Sequence, residues 1–132
     1  LSCQSEVYSE NGTRDSILTT STRNLLFFNS IPHLSTFVAA HLQKNFGFKE
    51  NFRIAADYDL FLRMFIQGHK FKLSKLTTAV HYRGGVSGDS IISHDEVQRI
   101  RKNNLGVCIY SLTQGMLFLN RLKKTWFSKF GL

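Results

Sequence analysis

The stretch that decides the reading of this chain is Ile54-Ala55-Ala56-Asp57-Tyr58-Asp59-Leu60-Phe61-Leu62-Arg63. Small residues give way to two carboxylates and then to a strongly apolar run. Leu60, Phe61, Met64 and Phe65 recur at steps of one, three and four, and Gly68 stands where a helix C-terminus needs a left-handed residue. The spacing predicts a helix over 55–67 with acidic residues in its first turn. The positive end of the helix dipole favours carboxylates there. Asp57 lies three and four residues before Leu60 and Phe61, so it projects on the inward face at the edge of the core. A general base needs to be ionised, oriented and partly sheltered in this way. The same placement also serves a carboxylate that only caps the helix. Asp59 points about 200° away from Asp57. With Arg63 four residues on, it is expected to form a surface ion pair.

Working outward, Ser2–Ser9 reads as a strand, Glu10-Asn11-Gly12 as a turn, and 13–30 as an irregular connection. His33–Ala40 is expected to be a strand, followed by a helical turn that ends at Phe46-Gly47. Two strands are expected at 69–73 and 77–83, the second broken by Gly84-Gly85. The stretch 90–104 reads as a helix, with Ser93 as N-cap and Glu96 as its capping-box partner. Leu105, Ile109, Leu112, Met116, Leu119, Leu122, Trp126 and Phe130 continue at steps of three and four. This is a long amphipathic helix, with Gly115 as the expected point of interruption.

Three further features carry chemistry. His33 follows Pro32 at a turn. Arg83-Gly84-Gly85-Val86-Ser87 joins a cation to a glycine-rich turn, which can offer backbone N–H groups and a guanidinium to phosphate oxygens or can simply end a strand. His81 precedes that turn; a lone histidine is weak ground for a metal site.

Taken in order, Ile31-Pro32-His33, Phe46-Gly47-Phe48, the Asp57-Tyr58-Asp59 helix and Gly84-Gly85-Val86-Ser87 resemble the C-terminal, acceptor-side half of family 2 glycosyltransferases. The resemblance covers roughly residues 31–88 and is closest to enzymes of colanic-acid and exopolysaccharide synthesis. It implies an α/β chain: a partial GT-A fold over 1–88, with a short mixed sheet and a buried helix, and a helical extension over 89–132. It implies an inverting transferase that moves a sugar from a nucleotide-sugar donor to a glycan or lipid-linked acceptor. Asp57 would be the catalytic base, with Asp59 secondary. His33, Arg83, Gly84, Gly85 and Ser87 would bind substrate, and His81 would stand as a metal ligand. His33 is followed by Leu34 where the family often has Gln. Asp57-Tyr58-Asp59 is not expected to chelate, because its carboxylates lie on opposite helix faces. The nucleotide-binding half, with its strand and metal-binding D-x-D, is not in this sequence. Mg²⁺ or Mn²⁺ would belong mainly to that half, and the chain alone is expected to be inactive.

Bulk properties fit one domain or part of one, with 42% apolar residues and 12 Phe among 132. No run approaches the roughly 18 apolar residues of a membrane span. No secretory leader is visible. Two distant cysteines suggest neither a disulfide framework nor a zinc site. A cytoplasmic location is expected, with peripheral contact at the inner face of the membrane through the basic, aromatic C-terminal helix. Without its other half, the chain is expected to expose apolar surface around Phe37 and Val80 and to self-associate as a two-fold dimer. The net charge of +8 admits a second reading, a basic binding module for nucleic acid or a protein partner. No nucleic-acid motif supports it, and nucleic acid is not the expected partner.

Overall fold

The computed structural model describes residues 1–9, 11–82 and 90–130, with side chains described up to position 123 and, in the last helix, from position 91. The chain is mixed α/β. Strand β1 (Ser2–Tyr8) lies between β2 (Arg14–Leu18) and β3 (Leu73–Tyr82) in a three-stranded sheet of order β2-β1-β3. The β1–β2 pair is an antiparallel hairpin turned at Gly12, whereas β1 and β3 run parallel. Helix α1 (Ala40–Phe46), helix α2 (Ala56–Ile66) and two short 3-10 turns, at 22–24 and 33–35, lie within the long β2-to-β3 connection. Helix α3 (Ser90–Phe130) follows, broken at Gly106 (φ 69°, ψ 163°).

Helix α2 is the centre of the core. Tyr58, Asp59, Leu60, Phe61, Leu62 and Met64 are all buried, so the helix is covered on most sides. Leu25, Ile31, Phe52, Ala55, Ile100 and Leu105 complete the apolar cluster. The C-terminus ends as the sequence predicts. Gly68 takes φ 81°, its N–H donates to Phe65 O, and the His69 N–H donates to Met64 O at 3.0 Å. This reciprocal pair of bonds satisfies the last carbonyls of the helix.

Four element expectations are corrected. The stretch 13–30 contains β2; every residue of that strand is exposed, so no apolar alternation announces it. The expected strand after His33 is a 3-10 turn followed by a single bridge, Thr36 to Ser2. The Thr36 hydroxyl donates to Pro32 O at 2.8 Å, and this local bonding competes with strand pairing. Of the two expected strands, the one at 69–73 does not form: the His69 N–H is used in closing α2, only Leu73 is extended, and β3 starts there and runs on to Tyr82, with register shifts against β1 between Leu73 and Thr77. The break in α3 lies at Gly106 and not at Gly115.

Candidate functional site

Asp57 sits in the first turn of α2, and its side chain is only 17% exposed. Its Oδ1 accepts the Tyr58 N–H at 2.7 Å. Its Oδ2 accepts Asn29 Nδ2 at 3.2 Å and lies 3.3 Å from His33 Nδ1. The carboxylate is therefore fixed from both sides. The Asp57 hydrogen bond holds the His33 imidazole above its usual range, against the opposing pull of partial burial. A proton on Nδ1 is the form that donates to Asp57.

Each wall of this arrangement has a separate anchor. The turn bearing His33 is pinned to β1 by hydroxyls: Ser35 Oγ and Ser5 Oγ are 2.8 Å apart, and Ser35 also donates to Cys3 O at 3.0 Å. The loop bearing Asn29 is tied to α2 by Tyr58, whose buried hydroxyl donates to Leu25 O at 2.9 Å. Burial pushes the Tyr58 phenol far above its usual range, so it stays neutral and keeps donating. The same loop is tied to α3 by the buried Arg101, which donates from Nε to Leu26 O at 3.0 Å. The turn entering α2 is held by Glu96. Its carboxylate accepts the backbone N–H groups of Arg53, Ile54 and Ala55, each at 2.8 Å. Burial pushes the Glu96 carboxyl upward, and those three N–H donors outweigh it, so the net shift is downward. Glu96 is thus not the capping-box partner of Ser93, which lies inside α3. It spans 41 to 43 positions of sequence to fix the turn that presents Asp57.

These residues border a cavity of about 540 Å³. Asp57, His33, Asn29 and His81 line it, with Ser5 and Phe28 on the walls. The structure therefore brings together three of the residues singled out in the sequence: Asp57, His33 and His81. Arg83, Gly84, Gly85 and Ser87 lie outside the described residues.

Asp59 is corrected. The expected pair with Arg63 exists, but not at the surface: Asp59 has no exposure. It receives Arg63 Nε at 2.7 Å, Lys49 Nζ at 3.3 Å and Asn104 Nδ2 at 3.0 Å. Arg63 also donates to Phe46 O and Gly47 O, both at 2.7 Å, and so caps the end of α1. Asp59 ties α1, α2 and α3 together, and it does not line the cavity.

The described residues do not make a divalent-metal site. Among them there is no group of three or more His, Cys, Asp or Glu side chains placed to hold an ion, and Asp57 Oδ2 is already engaged by Asn29 and His33. A metal set including His81 would need donors from outside the described residues.

Sequence reasoning missed Asn29, Tyr58, Glu96 and Arg101. Asn29, Glu96 and Arg101 lie far from Asp57 along the chain, and Tyr58 reads as one more core residue of α2. Only Glu96 left a signal, its place three residues after Ser93, which pointed to a capping box and not to the α2 turn. In comparisons with known proteins, no family model, curated protein or solved structure matches the chain.

Proposed function

We propose that this chain is the acceptor-side portion of an inverting glycosyltransferase, with Asp57 as the proton acceptor. The observation that carries this reading is the sheltered carboxylate at the start of α2, held by Asn29 and His33 at the wall of a cavity large enough for a sugar ring. In the reaction, Asp57 removes the proton from an acceptor hydroxyl. The hydroxyl oxygen bonds to the anomeric carbon of the donor as the bond to the nucleoside diphosphate breaks, and the configuration inverts. His33, protonated on Nδ1, orients the carboxylate. The three N–H donors gripping Glu96 keep the Asp57 turn from shifting.

The sheet supports the same reading. β3 is an edge strand among the described residues, with Leu73, Leu76, Val80 and Tyr82 exposed along it. A nucleotide-binding half that extended the sheet would cover this edge and supply the donor site. The acceptor would be a glycan or a lipid-linked saccharide.

The test is Asp57→Asn in the complete enzyme, assayed with labelled nucleotide sugars. Turnover should fall by about two to four orders of magnitude, the scale of general-base catalysis, with the melting temperature little changed. Near-normal transfer by a folded variant would remove Asp57 from the chemistry.

A further inference from the structure

Beyond the catalytic reading, α3 carries a second surface. Its break at Gly106 separates two segments with different fates. Before the break, Glu96, Ile100, Arg101 and Leu105 are buried against the core. After it, the helix is fixed in rotation by its inner side. Arg101 Nη2 donates to the buried Thr113 hydroxyl at 2.6 Å, and the Tyr110 hydroxyl donates to Gln98 Oε1 at 3.4 Å. The rest of this segment faces solvent, with Val107 and Phe118 exposed on one flank and a row of four apolar residues on the other. Leu112 is 69% exposed, Leu119 58%, Met116 54% and Ile109 49%. Their spacing of three, four and three makes one continuous apolar stripe.

Charge selects what covers this stripe. After Glu96 every charged side chain in the sequence is Lys or Arg, with Arg121, Lys123, Lys124 and Lys129 beside or beyond the stripe. Packing two copies of this helix side by side and parallel would bring these like charges together. An anionic bilayer surface would instead neutralise them. No helix among the described residues is long and apolar enough to cross a membrane, so the fit is to the interface.

We propose that the outward face of α3 beyond Gly106 docks on an anionic lipid surface. Ile109, Leu112, Met116 and Leu119 enter the headgroup–acyl boundary, and the following cations meet lipid phosphates. The cavity bordered by Asp57 is lined from α3 by Ser93 and Val97, both before Gly106, so docking beyond the break leaves that lining in place.

The test is co-sedimentation of the whole chain with vesicles of phosphatidylglycerol and phosphatidylcholine, compared with phosphatidylcholine alone, at low and high salt. Binding should favour the anionic vesicles and weaken with salt. The double variant Leu112→Glu, Met116→Glu should lower the partition coefficient by at least about tenfold, through loss of buried apolar surface. Both positions are exposed, and the variant's melting curve checks its fold. Equal or absent binding to the two vesicle types by the wild-type chain would overturn the proposal, as would unchanged binding by a folded double variant. Concentration-dependent dimerisation that the double variant abolishes, without vesicle binding, would assign the stripe to a second copy of the chain. None of these readouts depends on transfer activity, so the proposal stands or falls separately from the role of Asp57.

Discussion

Asp59 Oδ2 lies 2.7 Å from Arg63 Nε, one helical turn away, and the carboxylate is sealed from solvent. Removing one partner of a buried ion pair strands the other charge, at a cost of about 3–5 kcal/mol. Asp59→Ala should therefore lower the melting temperature by roughly 10 °C or more. Calorimetric melting checks this. A drop of only a degree or two would mean that the pair behaves as if exposed.

Glu96→Ala leaves three N–H groups of the α2 turn without their acceptor, one of them buried and two partly buried. The expected loss is about 3 kcal/mol, allowing for some rescue by water. Because folding lowers the Glu96 pKa below its ordinary value of 4.5, its contribution is present above that pH and is lost as pH falls through the lower folded value. Urea titrations of wild type and variant should differ most at pH 7 and converge in acid. A constant gap would show that the carboxylate charge is not what holds the turn.

The His33–Asp57 contact has the opposite pH dependence. Folding raises the His33 pKa above its ordinary 6.5, so its stabilisation is complete below that value and fades as pH rises through the higher folded value. Comparing Asp57→Asn with wild type, the difference in stability should be larger at pH 5.5–6 than at pH 8.5–9. His33→Gln should remove this dependence. NMR titration of the imidazole gives a direct check, and an unshifted His33 in the wild type would contradict the geometry.

Gly106 and Gly115 occupy the same helix in opposite circumstances. Gly106 has φ 69° and ψ 163°, a region essentially closed to other residues, while Gly115 is helical; an added Cβ meets nothing within 4 Å at either. Gly106→Ala should cost about 1–3 kcal/mol from the backbone alone. Gly115→Ala should stabilise by about 0.5–1 kcal/mol. Denaturant midpoints moving the same way for both would rule out a break at Gly106.

The sequence made α2 readable because its apolar period, its acidic first turn and Gly68 all agree. It made the Asp57 position readable for the same reason. His33 and His81 were identified one by one, but their meeting at one cavity depends on the parallel pairing of β1 with β3, which no local pattern encodes. β2 escaped because a fully exposed strand has no apolar alternation. Asp59 was misplaced because i,i+4 spacing reveals the partner but not the burial. That burial comes from Lys49 and Asn104, 10 and 45 residues away. Gly106 and Gly115 look alike as letters, and only the turn of the chain between Leu105 and Tyr110 distinguishes them.

The parallel pairing of β1 with β3 sets the order in which the chain can fold. Ser2 pairs opposite Leu73, so the central strand must wait until everything between has been synthesised. At ribosomal rates of roughly 5–20 residues per second, that wait lasts several seconds. In that interval β1 has only its hairpin partner β2, while α2 can already form locally. The closing step joins the most distant segments of the sheet and carries the largest loop-closure entropy, which makes it the natural slow phase of refolding. A nascent chain stalled before Leu73 would hold Cys3 and Val7 without the sheet that buries them.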